Sequence, residues 1–179
     1  MSITIVNGTN RIGNRSIEIS RTVTAIYREM KYRTKLITLN SFDTLFRGDY
    51  IHLEAATPAQ KRDILSLIMA DIIIFIIPTY HSGIPSSLKN FLDALKCSEC
   101  YDKKVIGIIS SNESNRDLGA RQGFQTINGI LAYLKLRSFI IPIIPIINFD
   151  DIDKDRIEKF INYCSRFMYK RESETIYAS

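Results

Sequence analysis

The sequence predicts a doubly wound α/β domain: a five-stranded parallel sheet of order 2-1-3-4-5 with helices on both faces, a three-layer sandwich. Three observations predict it. Short apolar runs alternate with helix-period segments along 179 residues, and such alternation specifies parallel strands joined by right-handed crossover helices. Residues 72–77 (IIIFII) are apolar without interruption, as in a central strand buried on both faces. Residues 138–147 (SFIIPIIPII) contain Pro142 and Pro145; proline donates nothing to a ladder, which places this strand at the sheet edge.

The elements follow in order. Residues 3–7 (ITIVN) form the first strand, closed by Gly8. Ile19, Val23, Ile26 and Met30 share one face of a helix over 16–30. Residues 34–39 alternate as a strand, and a polar loop of about 17 residues leads to Pro58, a first-turn proline. Ile64, Leu65 and Ile68 form the apolar stripe of that second helix. After the strand at 72–77, Leu88, Phe91, Leu92 and Leu95 define a helix over 85–96. A strand at 104–110 and a helix at 119–136 come next, the latter burying Phe124, Ile127, Leu131 and Leu134. Beyond the edge strand, Ile157, Phe160, Ile161, Cys164 and Met168 mark a closing helix. The length predicts one domain over 1–170 and a polar tail over 171–179. Isoleucine occupies 31 positions, which suits strands and tight aliphatic packing.

Composition narrows the function classes. Net charge is +5 and the pI about 9.1. The Lys and Arg are scattered, so no nucleic-acid patch is indicated, while a mild positive balance suits phosphorylated small molecules. No apolar run reaches the roughly 18 residues of a membrane span. The start MSITIVNG has no basic n-region, and three cysteines, an odd number, fit reduced thiols. A cytoplasmic location is therefore expected.

Ligands of such sheets bind beyond the carboxyl ends of the strands, at the switch point between the first and third. Three loops meet there. The first, Gly8–Ser16 (GTNRIGNRS), leads into a helix N-terminus with Arg11 and Arg15; free N–H groups, the helix dipole and a guanidinium suit a phosphate dianion. It fits neither a Walker loop nor the Gly-x-Gly-x-x-Gly turn. It reads equally as a plain helix start capped by Asn14 or Ser16. The second, Pro78–Gly83 (PTYHSG), is a rigid turn whose Tyr80 can flank a flat ring. The alternative there is an ordinary strand-to-helix turn with Ser86 or Ser87 as cap. His81 reads as a solvent-facing or hydrogen-bonded histidine rather than a catalytic one, and His52 has no partner in view. The third, Ser110–Gly119 (SSNESNRDLG), is polar and long enough to close over a ligand edge.

These residues carry a resemblance. GTNRIGNRS resembles the phosphate loop, Gly-Ser/Thr-x-Arg…Ser, of the NADPH-dependent FMN reductase family of flavodoxin-like proteins, which includes azobenzene and quinone reductases. PTYHSGIPSSLKNFLDAL resembles that family's signature over 18 residues, with Pro78, Tyr80, Leu88-Lys89-Asn90 and Asp93 at the expected offsets. The resemblance implies FMN, its 5′-phosphate contacted by Thr9, Arg11 and Ser16 with Asn10 and Asn14 as further donors. The isoalloxazine would rest against Pro78, Thr79, Tyr80, His81, Ser82 and Gly83, with Ser110 opening the third loop. One departure is that third loop, SSNESN where relatives often carry glycines. Further implications are NADPH as reductant, a small acceptor (free flavin, quinone or azo compound) reduced by a ping-pong mechanism, and a homodimer or homotetramer. No catalytic side chain and no metal is expected, because the cofactor carries the chemistry. Arg15 and Arg121 are candidates for the nucleotide's phosphates.

Two other classes compete. One is a flavodoxin-type electron carrier, which the charge of +5 disfavours. The other is a flavin-less nucleotide-binding or hydrolytic module, for which Glu113 and Asp117 are the carboxylate pair. Cys97 and Cys100 (CSEC) sit at a helix end, where the dipole raises a thiol pKa. A zinc site would need two further ligands, so these thiols read as structural.

Overall fold

The computed structural model describes residues 1–42, 52, 54–81, 83–95, 103–111, 116–134, 137–138, 147–148 and 154–174. Four strands of six to eight residues stand in the order β2-β1-β3-β4: β1 (Ser2–Asn7), β2 (Arg33–Thr38), β3 (Ile72–Pro78) and β4 (Lys104–Ser111). All neighbours are parallel, and Ile5 aligns with Leu36 on one side and Ile74 on the other. The helices are α1 (Ser16–Glu29), α2 (Pro58–Ile68), α3 (Ser86–Ala94), α4 (Arg116–Tyr133) and α5 (Lys154–Glu174).

The sheet has four strands of this kind, not the five expected. In place of a strand over 138–147 the described residues hold two short pairings with β4. These are β5 (Arg137–Ser138) against Lys104 and Val105, and β6 (Ile147–Asn148) against Ser110 and Ser111. Pro142 and Pro145 fall in the residues between, outside the description, and neither has an N–H to give a ladder. α5 continues to Glu174, four residues into the stretch expected as a tail.

β3 shows why isoleucine dominates. Its side chains alternate across the sheet, so Ile72, Ile74 and Ile76 enter one core with Ile3, Ile5, Ile106 and Ile108. Ile73, Phe75 and Ile77 enter the other with Val6, Val105 and Ile109. The first core is covered by α1 and α5 through Ile19, Val23, Ile157 and Ile161. The second is covered by α2, α3 and α4 through Leu67, Phe91 and Ile127. In α2 the buried stripe is Ile64 and Leu67 with Ile68 against it, whereas Leu65 is exposed. One turn of helix carries both leucines, and only the 3.6-residue phase separates them.

Local signals fix the helix ends. Thr57 and Gln60 form a reciprocal capping box before Pro58: Thr57 Oγ1 accepts from the Gln60 N–H and Gln60 Oε1 from the Thr57 N–H. This pair is plain in the sequence, and periodicity alone passes over it. α1 ends in a Schellman motif, with the Lys31 N–H on the Arg28 carbonyl and the Tyr32 N–H on the Tyr27 carbonyl. The motif puts Lys31 at φ 65°, a place that glycine favours.

Gly8 has the opposite need, for space. Its N–H donates to the Ile76 carbonyl at 2.8 Å as β1 leaves the sheet across β3. A Cβ at Gly8 would lie 2.7 Å from that carbonyl oxygen and 3.1 Å from Leu88 Cδ2.

Two stability changes of opposite sign follow. Lys31→Gly relieves the left-handed strain and should raise unfolding free energy by about 0.5–1 kcal/mol, the αL penalty less the entropy of a glycine. A denaturant midpoint moved upward at constant slope is the readout. Gly8→Ala forces backbone against backbone and should lower stability by about 1–3 kcal/mol.

Candidate functional site

Loops one and two leave the carboxyl ends of β1 and β3, while residues 112–115 of loop three lie outside the described residues. Loop one, residues 8–16, is held by its own side chains. Asn7, buried at the last position of β1, donates from Nδ2 to the Thr9 carbonyl at 3.4 Å and to Asn14 Oδ1 at 3.2 Å. Ser16 Oγ lies 2.7 Å from both Asn7 Oδ1 and Asn14 Oδ1, one proton before two acceptors. Asn14 Oδ1 also takes the Ile17 N–H at 3.0 Å, and its Nδ2 donates to the Arg11 carbonyl at 2.6 Å. Asn14 thus performs the capping that the sequence allowed. Arg15, the residue that precedes α1, adds no side-chain cap. Gly13, at φ 69°, makes the reversal.

This arrangement sorts the candidate phosphate donors. Ser16 is fully buried and engaged, and Asn14 uses both ends of its amide inside the loop. Asn10 is half-buried, while Arg11 and Arg15 are exposed. Thr9 is only 1% exposed. Ile12, at the tip between the arginines, is 94% exposed. Asn7 was missed by the sequence reading, although a buried amide closing an apolar strand is the signal that marks it.

Loop two begins at Pro78, buried and aligned with Ser110 of β4. Thr79 binds β4 twice, its N–H at 2.9 Å and its Oγ1 at 3.3 Å from the Ser110 carbonyl. Tyr80 and Gly83 exchange backbone hydrogen bonds of 3.0 and 2.9 Å. The tight turn between them holds His81 at φ 48°, exposed; Ser82 lies outside the described residues. Neither Ser86 nor Ser87 caps α3, whose first turn starts from Pro85 without a side-chain cap. α4 touches this loop where Gly123 lies beside Thr79, close enough that a Cβ would come within 3.2 Å of Thr79 Cγ2.

The two loops touch through Tyr80. Its hydroxyl is 3.3 Å from Thr9 Oγ1, and the Arg11 guanidinium lies over its ring, 5.6 Å from the centroid. The Arg11 N–H donates to Thr9 Oγ1 at 3.2 Å. A cation, an aromatic face and a helix N-terminus therefore share one mouth. Ser110 is fully buried, and its Oγ has no hydrogen-bond partner among the described residues.

The remaining candidates separate from this cluster. Cys97, Cys100 and Glu113 lie outside the described residues, and Asp117 is in the first turn of α4. Arg121 is exposed on α4. His52 is exposed. Cys164, on α5, is buried in the core that α5 shares with α1, and burial pushes its thiol up to about 12. Among the described residues no group of three His, Cys, Asp or Glu could hold a metal, and no helix is long and apolar enough to cross a membrane.

Solved structures share the fold. An NADH:FMN oxidoreductase (EMOB) superposes with a TM-score of 0.63 at 19% identity, over 76% of this chain and 71% of the other. FerB, an NAD(P)H:acceptor flavoenzyme from Paracoccus denitrificans, gives 0.59 at 13% over 83% and 78%. The azoreductase AzrA gives 0.52 at 14% over 79% and 86%. The model of one family, the NADPH-dependent FMN reductases, matches residues 1–140, from β1 past the end of α4 and across all three loops. The chain belongs to the NADPH-dependent FMN reductase family and is an NAD(P)H-dependent flavin oxidoreductase with FMN as its flavin.

Proposed function

We propose that the protein takes reducing equivalents from NADPH and delivers them to a small organic acceptor (free flavin, quinone or azo compound), the two substrates using one site in turn. One observation carries the reading beyond family membership: the Arg11 guanidinium and the Tyr80 ring stand together where loops one and two meet. The residues fit FMN. Loop 8–16 contains two arginines and no carboxylate, and Arg11 is exposed at the head of α1. A guanidinium so placed can grip a phosphate dianion bidentately, with the helix N-terminus behind it. Tyr80, half-buried at the end of the central strand, offers an aromatic surface for a flat ring.

When bound, FMN supplies the ring that accepts and gives up a hydride. The chain's own share is then to bind and to orient. Arg11 holds the phosphate end. Thr79, fixed twice to β4, keeps the Tyr80–Gly83 turn rigid against the ring end. No side chain is asked to move a proton, so no acid–base pair is assigned. Arg15 and Arg121 are offered to the nucleotide phosphates. The working enzyme is a cytoplasmic homodimer or homotetramer, with one domain running from β1 through α5.

FMN should bind more tightly than riboflavin, and Arg11→Ala should close most of that gap. At about 1.5–3 kcal/mol for a hydrogen bond to a charged group, the FMN loss is roughly one to two orders of magnitude. Riboflavin affinity should move by no more than a few-fold. Fluorescence titration of both flavins against both proteins measures this, and equal losses for the two would remove Arg11 from the phosphate. Stopped-flow reduction of the FMN-loaded protein should be faster with NADPH than with NADH. Reduction by neither nucleotide would refute the reductase reading.

A further inference from the structure

α4 carries Gly119, Gly123 and Gly129 within its 18 residues, although glycine weakens a helix interior relative to alanine. Gly123 and Gly129 stand in different surroundings. A Cβ at Gly129 would meet nothing within 4 Å, so no neighbour requires a glycine there. Gly123 is buried, and a Cβ on it would stand 3.2 Å from Thr79 Cγ2, inside the roughly 3.5–4.0 Å at which carbon atoms rest. The bare backbone at Gly123 therefore lets α4 lie directly against the second residue of loop two. Thr79 has little freedom to withdraw. Its N–H and its Oγ1 both bond the Ser110 carbonyl of β4, at 2.9 and 3.3 Å, and a β-branched side chain is stiff at χ1. Turning χ1 to move Cγ2 away carries Oγ1 off that carbonyl. Thr79 is thus clamped between β4 and α4, and the turn closed by the backbone pair of Tyr80 and Gly83 starts from the clamp.

We infer that Gly123 is a positioning residue for the ring end of the site: the space left by its missing side chain seats α4 on Thr79, and Thr79 carries the Tyr80–Gly83 turn with it. The inference rests on the flavin reading only for its consequence, the placement of the isoalloxazine. The contact of α4 with Thr79 belongs to the protein alone. A residue that acts through the ring turn changes FMN and riboflavin by one factor, because both flavins carry the same ring. A residue that only builds the helix changes stability and leaves both affinities alone.

The test compares Gly123→Ala, Gly129→Ala, Thr79→Ser and the Thr79→Ser/Gly123→Ala double variant. Both alanines bring the same gain in helix propensity, which makes Gly129→Ala the control. It should raise the denaturant midpoint and leave flavin binding at the wild-type level. Gly123→Ala should weaken FMN and riboflavin by the same factor, roughly 3- to 10-fold, and shift the absorbance spectrum of bound FMN. Thr79→Ser deletes Cγ2 and keeps Oγ1, so in that background Gly123→Ala should change either affinity by less than about 2-fold. In flavin-free protein carrying 13C-labelled tyrosine, the Tyr80 ring resonance, identified by its disappearance in Tyr80→Phe, should move in Gly123→Ala and stay in Gly129→Ala. Unchanged flavin affinity in Gly123→Ala, an equal loss in the Thr79→Ser background, or an unmoved Tyr80 resonance would each overturn the inference. If Gly123→Ala does not fold, the double variant decides: folding and binding as Thr79→Ser does supports the inference, and failure to do so overturns it. Failure of the wild type to bind either flavin would refute the flavin reading, and the Tyr80 resonance would still decide the contact.

Discussion

Everything at this site depends on the carboxyl end of β3. That strand is buried on both faces and neighbours β1 and β4, so its backbone is the common reference for all three loops. Loop one is drawn onto it by the hydrogen bond from Gly8 to the Ile76 carbonyl, at a separation only glycine permits. Loop two is its direct continuation. Loop three begins at Ser110, whose carbonyl accepts two hydrogen bonds from Thr79 just after β3 ends. A shift of β3 by one residue would exchange the two cores and carry all three loops with it, because side chains alternate with period two. Rigidity at the site is therefore a by-product of core packing.

Loop one shows how a polar loop can be both well ordered and ready for an anion. Asn7, Asn14 and Ser16 satisfy one another and the first turn of α1, so their polar atoms are compensated despite burial. The loop is braced by its own side chains. What the loop exposes is charge: Arg11 and Arg15. Such division of labour lowers the ordering cost of binding, since a preformed loop loses little conformational freedom when the anion arrives. The serine and the asparagine of the loop, Ser16 and Asn14, are both engaged within it.

Legibility from sequence follows the range of the forces involved. Period-two and period-3.6 patterns report burial directly, so β1, β3, β4 and the helices were readable from their apolar positions. Of the fifth strand read from the apolar run, the described residues hold only the short pairings of Arg137–Ser138 and Ile147–Asn148 with β4, and residues 139–146 lie outside the description. That loops one and two lie at one end of the sheet was readable because parallel topology puts them there. The roles of their side chains were not. Whether Ser16 faces a ligand or the loop depends on Asn7, nine residues away, and whether Thr9 is accessible depends on Tyr80, 71 residues away. His81 at positive φ is another such case, since only the backbone exchange between Tyr80 and Gly83 imposes that conformation.

In the proposed reading, the Arg11–Tyr80 contact couples the phosphate and ring halves of the site. One guanidinium cannot lie over an aromatic face and grip a dianion without some adjustment, unless both partners can be met from one position. The 5.6 Å separation leaves the guanidinium near the limit of a cation–π contact, so a shift toward an anion at the helix mouth gives up little. Thr9 limits what such a shift can do, because it holds both the Arg11 backbone and the Tyr80 hydroxyl. In the proposed reading, the phosphate end can adapt to its anion while the ring end stays set by the sheet through Thr79 and Ser110.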